Sequence, residues 1–204
     1  MNQTTSTMVG LKRLENLQYC VTEVIRKNVS GDLIETGVWR GGASIFMRAV
    51  LKACGDQTRL VWVADSFEGL PKPDGGYQQD AGDRHWESNH TLSIPLEQVK
   101  ANFSRYGLLD EQVRFLVGWF KDTLPTAPIH QLAVLRLDGD MYSSTMDALQ
   151  SLYPRLSPGG YVIIDDYGAV PACKRAVDDF REEYKITERL QQVDWTAVFW
   201  EKLR

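Results

Sequence analysis

The chain has 204 residues, 43% of them apolar and 25% charged, enough to build a full hydrophobic core in one domain of ordinary size. Its formal net charge is −4, with basic residues interspersed among acidic ones, which argues against a nucleic-acid partner. No apolar run reaches the length of a bilayer span, and Met1 to Gly10 lacks the basic-then-apolar layout of a signal peptide.

In chain order, Leu11 to Lys27 reads as a helix, with Leu14, Leu17, Val21, Val24 and Ile25 near helical spacing. Asp32 to Thr36 is a short strand opening into Gly37-Val38-Trp39-Arg40-Gly41-Gly42, and a helix follows from about Ala43 to Ala53. Leu60 to Ala64 is a second strand, ending at Asp65. Gly69 to Ser93 is long and polar, holds Pro71, Pro73 and Gly75-Gly76, and shows little periodicity; a loop of that length inside a compact domain is expected to be a functional lid or a mobile segment. Leu96 to Tyr106 is a helix, and Val113 to Val117 is a third strand that ends at Gly118-Trp119-Phe120.

Leu132 to Leu137 then runs into Asp138-Gly139-Asp140, and Tyr161 to Ile164 runs into Asp165-Asp166. Between them a helix from about Ser144 to Leu156 closes at Ser157-Pro158-Gly159-Gly160. A helix from about Ala172 to Tyr184 leads to a final pair of strands, Ile186 to Val193 and Thr196 to Glu201. Alternating strands and helices predict an α/β fold, with a doubly wound, mainly parallel sheet covered on both faces. The closing strand pair predicts an antiparallel edge. The whole chain, 1–204, is read as a single domain, with an N-terminal helical segment over 1–30 and a lid over 69–95.

Two features carry chemistry. The glycine turn after the first strand lets the backbone pass close to a ligand, and the helix behind it offers free N–H groups. Its spacing is not that of a dinucleotide fingerprint, and a glycine-rich turn without a ligand is the plain alternative. Asp65, about thirty residues later, stands where nucleoside-binding α/β domains place a carboxylate for ribose hydroxyls. Trp119 offers a flat apolar face to an adenine, although a lone Trp is also an ordinary core residue. Together these tips describe a pocket for an adenosine-bearing cofactor.

The second feature is the acid cluster. Residues i and i+2 of a strand face the same way, so Asp138 and Asp140 can address one site, and the Asp165-Asp166 tip belongs to the next strand, under about 5 Å away. Carboxylates so placed repel one another unless a cation or a proton sits among them, and a hard ion such as Mg²⁺ suits them. Singly, Asp140 or Asp166 could instead cap the following helix. A metal here would act as a Lewis acid on a sugar or catechol hydroxyl, with a nearby carboxylate taking the proton; His85, His90 and His130 are the rival bases.

These residues together resemble the macrocin O-methyltransferase family. The resemblance extends over nearly the whole chain, and its closest segments are Gly10 to Gln18, Glu35 to Gly42, Val63 to Phe67, Asn102 to Leu108, Gly118 to Thr123, Leu137 to Ser143 and Leu156 to Tyr167. It implies a Rossmann-like class I methyltransferase with a seven-stranded sheet, using S-adenosyl-L-methionine and Mg²⁺ to methylate a sugar hydroxyl on a macrolide or related antibiotic. By the same resemblance Asp138, Asp165 and Asp166 hold the metal, and Asp140 is the catalytic base. Glu35, Thr36, Gly37, Ser44, Asp65, Ser66, Gly118 and Trp119 line the S-adenosylmethionine site. The family pattern also places several dozen residues before the segment matching Thr7 to Gly10. This implies that the acceptor is held by Gly69 to Ser93 together with a partner subunit, or that the chain is a trimmed form.

The expected partner is a small glycosylated natural product, with no nucleic acid and no membrane, in a homo-oligomer. The three cysteines are scattered and lack metal-ligand spacing, so they read as reduced thiols of a cytoplasmic protein. Three other functions stay open at this level. A catechol-type O-methyltransferase would share the mechanism. A phosphohydrolase with an aspartate nucleophile would explain Asp-x-Asp but not the glycine turn. A non-catalytic S-adenosylmethionine-binding protein would keep the fold and lose the chemistry.

Overall fold

The computed structural model describes residues 5–203, so residues 1–4 of the expected N-terminal segment, and residue 204, lie outside it. Its elements in order are α1 (Leu11–Arg26), β1 (Asp32–Thr36), α2 (Gly42–Ala53), β2 (Val61–Asp65), α3 (Asn89–Leu92), α4 (Leu96–Arg105), β3 (Val113–Val117), α5 (Phe120–Thr123), β4 (Leu132–Leu137), α6 (Tyr142–Leu152), β5 (Leu156–Ile164), α7 (Pro171–Glu183), β6 (Gln191–Gln192) and β7 (Val198–Glu201).

The strands form one seven-stranded sheet in the order β3-β2-β1-β4-β5-β7-β6. The first five strands in that order pair in parallel, while β7 is antiparallel to both β5 and β6. This is the α/β, mainly parallel sheet with an antiparallel pair at one edge that the alternation of elements predicts. Strand side chains alternate between two cores. Leu33, Val61, Val63 and Val134 pack with α1, α2 and α4 on one face; Ile34, Trp62, Leu135 and Val162 pack with α6 and α7 on the other. Each fully buried aliphatic side chain in these layers contributes about 1.5–3 kcal/mol of burial.

Several elements differ from expectation, and the one-turn helix α5 is not among the predicted ones. The helix predicted to reach Leu156 stops at Leu152 and tightens into a 3₁₀ turn over Tyr153–Arg155, because Pro154 has no N–H to donate and its ring crowds the preceding turn. The strand expected to start at Tyr161 starts at Leu156. Its register against β4 jumps from Leu132↔Leu156 to Val134↔Tyr161, so Ser157 to Gly160 form a bulge in which Pro158 interrupts no ladder bond. The last strand pair is shorter than predicted, with β6 only two exposed residues long. The 69–95 segment is also less featureless than its composition implies. It holds 3₁₀ turns at Gln78–Asp80 and His85–Ser88 and the short helix α3.

The sheet order reverses direction between β1 and β4, the place where open α/β sheets leave a crevice for ligands. Beyond the ends of the regular strands the ladder continues by one bond each: the Asp138 amide donates to the Thr36 carbonyl (2.9 Å) and the Asp165 amide to the Leu137 carbonyl (2.9 Å). Gly37, Asp138 and Asp165 therefore stand level along the crevice.

Candidate active site

The turn after β1 is built around a backbone collision that only glycine avoids. Gly37 has φ +81°, and a Cβ there would lie 1.8 Å from the Asp138 carbonyl oxygen. The Asp65 carboxylate organises the same turn. Its Oδ2 accepts from the Val38 amide (2.7 Å) and its Oδ1 from the Phe67 amide (2.7 Å). Burial raises the Asp65 pKa, against the pull of those amides. The carboxylate still borders the cavity, with lone pairs to spare for a ligand. Asp65→Ala should weaken S-adenosylhomocysteine binding by about tenfold or more, measured by calorimetry, through the loss of both the turn and the acceptor; parent-like affinity would remove Asp65 from the cofactor site.

The acid cluster sits on the adjoining tips. Ligand oxygens of Asp138, Asp165 and Asp166 all lie within 4.8 Å of one another. Behind them is a residue that the carboxylate pattern does not reveal: Arg136, 1% exposed, two positions before Asp138 and hence on the same face of β4. Its guanidinium bonds Glu35 Oε1 at 2.5 Å, Asp138 Oδ2 at 2.8 Å and the Asp165 carboxylate. Arg13 of α1 takes the other oxygen of Asp165 and also meets Asp194 at 3.2 Å. Burial works against the charge on Arg136, but Asp165, Asp138 and Glu35 outweigh it and hold the guanidinium pKa well above its ordinary value. The one sequence signal for Arg136 is its position at i−2 from Asp138, which puts the two on the same side of the strand; the partners Glu35 and Asp165 appear only in the fold.

The acids respond in different ways. Burial, reinforced by the charges of Asp138, Asp140 and Asp165, pushes Asp166 up to about 10. Burial raises Asp165 to about 6 despite Arg136. Burial and the Asp138 charge raise Asp140 to about 6. Glu35, fully enclosed, is raised to about 7 by burial and takes a hydrogen bond from the Ser44 hydroxyl. Asp166 Oδ2 is buried and has no hydrogen-bond partner among the described residues. Three converging carboxylates, mutual repulsion and an orphaned oxygen fit a divalent cation.

Asp140 occupies a left-handed conformation (φ +55°) at the tight turn into α6, an unusual state that Asp tolerates better than most residues. Two adjoining cavities, of about 420 and 390 Å³, meet at Asp138 and Asp140 and share Met8, Trp39, Leu70 and Leu92 in their walls. The larger is lined by Gly37, Asp65, Ser66, Trp119, Phe120 and residues of the 69–95 segment. The smaller, more polar one holds Glu35, Asp138, Asp140, Asp165, Asp166, Arg13 and His85. His85 is held through Nδ1 by the Asp83 carboxylate, at 2.9 and 3.0 Å to its two oxygens.

Of the residues singled out from the sequence, Thr36, Ser44 and Gly118 border neither cavity, and nor do His90 and His130. Thr36 and Ser44 are buried behind the turn, and Gly118, with φ +131°, continues β3 past Asp65 and delivers Trp119 into the wall. Met8, Trp39 and Tyr77 are wall residues that sequence reasoning missed. They come from segments with no periodicity and meet the site only through tertiary packing.

Comparison with known proteins agrees with this geometry. The family model described as macrocin O-methyltransferase (TylF) matches residues 2–202. The chain is 64% identical over 197 residues to the 8-demethyl-8-(2,3-dimethoxy-alpha-L-rhamnosyl)-tetracenomycin-C 4'-O-methyltransferase of Streptomyces olivaceus, covering 95% of this chain and 74% of that protein. It is 54% identical over 199 residues to the mycinamicin III 3''-O-methyltransferase of Micromonospora griseorubida, covering 96% and 78%. Among solved structures, the O-methyltransferase NovP superposes with a TM-score of 0.96 at 54% identity, over 98% of this chain and 84% of that one. Among the described residues, no helix is long and apolar enough to cross a membrane.

Proposed function

The chain belongs to the macrocin O-methyltransferase family and is an O-methyltransferase; from that premise we propose that it methylates a hydroxyl of a deoxysugar on a macrolide or related natural product, using S-adenosylmethionine and Mg²⁺. The observation that carries the reading is the meeting of the two cavities at Asp138 and Asp140. One cavity has the features of a nucleoside pocket and the other is walled by the acid cluster. The relatives' activities toward glycosylated antibiotics support the acceptor class.

Bound in the larger cavity, S-adenosylmethionine would supply an electrophilic methyl group, and Asp138, Asp165 and Asp166 would hold a Mg²⁺ that supplies Lewis acidity toward the acceptor hydroxyl. The chain's own residues do the rest. Gly37 leaves room for close backbone approach, Asp65 and Ser66 offer polar contacts to a ribose, and Trp119 offers a stacking face. Arg136 holds the Asp138 and Asp165 carboxylates in place by direct hydrogen bonds, so the cluster needs no rearrangement when a ligand enters. Asp140 would take the proton from the acceptor hydroxyl, and the 69–95 segment would keep water out. Much of the rate then rests on positioning.

A carboxylate base must be ionised to act. Asp140 is raised to about 6 in the metal-free protein, and a Mg²⁺ beside it would lower that value, so kcat/KM should fall as pH drops through about 6 or below and level off above it. For stability the sign reverses. An acid whose pKa is higher in the fold than in the unfolded chain stabilises the fold at low pH, and that contribution is lost as pH rises through about 6. Asp140→Asn should cost about 10²–10⁴ in kcat and abolish the acid limb. His85→Ala should retain most of the rate; the opposite ranking would make the His85–Asp83 pair the base.

The test of the function is calorimetric titration of S-adenosylhomocysteine with and without Mg²⁺, followed by methyl transfer from labelled donor to a panel of deoxysugar-bearing acceptors. Micromolar binding and label in a sugar methoxy group are expected. Label only on catechols would reassign the acceptor, and absent binding would overturn the cofactor.

A further inference from the structure

Helix α6 begins directly behind the Asp138-Gly139-Asp140 turn, yet no side chain of its own first turn caps it. Its first amides are instead satisfied from sixty residues upstream. Asp80, in the middle of the 69–95 segment and 3% exposed, accepts from the Tyr142 amide through one carboxylate oxygen and from the Ser143 amide through the other, both at 2.9 Å. The first amides of a helix have no intrahelical partners, and a carboxylate there also meets the positive end of the helix dipole. Tyr77 adds a second attachment: its hydroxyl donates to Asp147 Oδ1 (3.1 Å), and its ring packs on Tyr142 with centroids 5.3 Å apart.

The other limb of the segment is tied to the glycine turn. The Trp39 indole N–H donates to the Thr91 carbonyl (3.0 Å), and the Asn89 amide side chain accepts from the Leu70 N–H (2.7 Å) while donating to the Leu70 carbonyl (2.9 Å). The segment thus bridges the acid turn and the cofactor turn across the mouth of the cavity, and opening it would strip α6 of its cap. We infer that Asp80 is a positioning residue: closure of the 69–95 segment and the ordering of the Asp138–Met141 turn are a single event, because the segment supplies the N-terminal cap of the helix on which that turn depends.

The coupling rests on the proposed reaction only for its consequence, that Asp140 is placed for proton transfer when the segment closes. It explains how Asp140 is kept in a left-handed backbone conformation just before the helix. The Met141 amide bonds the Gly139 carbonyl at 2.6 Å, so this turn has little slack of its own, and movement of the first α6 residues passes directly into it.

Amide hydrogen exchange on the full chain reads the coupling without any acceptor. In Asp80→Ala, exchange at Tyr142 and Ser143 should rise about fivefold or more, the effect expected of a lost cap. The amides of Met141 and Leu70 should rise with them. Asp80→Asn keeps one neutral acceptor oxygen and should fall between parent and Ala. Glu87→Ala, which breaks only the exposed Arg84–Glu87 pair of the same segment, should exchange as the parent does. In turnover, Asp80→Ala should lose kcat by a similar factor while KM for the acceptor changes less. Unchanged exchange at Tyr142 and Ser143, or faster exchange there with Leu70 unaffected, would overturn the coupling. A parent that methylates no acceptor would defeat the proposed reaction instead and leave the exchange result to decide the cap.

Discussion

Asp166→Asn is expected to reduce turnover at least roughly a hundredfold, the scale on which electrostatic groups act at a reacting centre, while leaving S-adenosylhomocysteine affinity and thermal stability near parent values. The usual ambiguity of such a variant is absent here. In the protein alone Asp166 is pushed up to about 10, so at neutral pH it is already protonated, and a neutral Asn of the same size copies that state. Folding should therefore be unaffected or slightly favoured. What Asn cannot do is give up a proton and turn anionic when a cation arrives, as Asp166 can, with its oxygen buried and unpartnered beside Asp138 and Asp165. Calorimetric titration with Mg²⁺ should show binding to the parent and none to the variant. A variant that turns over at the parent rate with Mg²⁺ present would dissolve the metal assignment.

Arg136→Met carries the largest expected stability effect. Removing one member of a buried ionic network leaves its partners uncompensated, at a cost of about 3–5 kcal/mol. For a chain of this size that is a fall of roughly 10 °C in the unfolding midpoint. Three acids, Glu35, Asp138 and Asp165, lose a fixed counter-charge at once. The ionised forms of Glu35 and Asp165 then become still less favourable in the fold, their pKa values rise further above those of the unfolded chain, and the folded state binds protons more tightly. Stability of the variant should accordingly recover as pH is lowered from 8 toward 5. A deficit that stays constant over that range would mean that lost packing, and not uncompensated charge, is what the guanidinium prevents.

The contrast between these two positions shows what a sequence can disclose. Asp166 was legible because a carboxylate at the end of an apolar strand has no packing reason to be there. The ends of β1, β3 and β4 are legible to the residue from short, mostly apolar runs and the glycine or aspartate that stops each. Arg136 sits inside that apolar run, where its neighbours read as strand and its charge reads as an exception; only the register Glu35↔Arg136 shows the carboxylate beside it. The start of β5 was misplaced because Ser157-Pro158-Gly159-Gly160 has the composition of a turn, and a bulge opposite Ala133 accommodates it without leaving the sheet. The contacts of the 69–95 segment were illegible for a different reason. Asp80 caps a helix sixty residues away, and no local pattern records a bond of that span. Trp39 and Met8 likewise join the cavity wall through packing that periodicity does not encode.

Gly37 leaves less than 2 Å between an imagined side chain and the Asp138 carbonyl, so the cofactor turn and the acid turn are in effect cast as one piece. Neither can be remodelled without displacing the other. Variation among such enzymes in what they methylate must accordingly be written elsewhere, in parts that touch the cavity but not this joint. The residues around Met8 meet that description, and so does the 69–95 segment apart from Asp80 and Thr91, which tie it to the two turns and must be kept in any exchange. For engineering, this divides the molecule into a portion to be left alone and a portion open to exchange: grafted loops between relatives should transfer acceptor preference, whereas substitutions around the joint should only subtract activity.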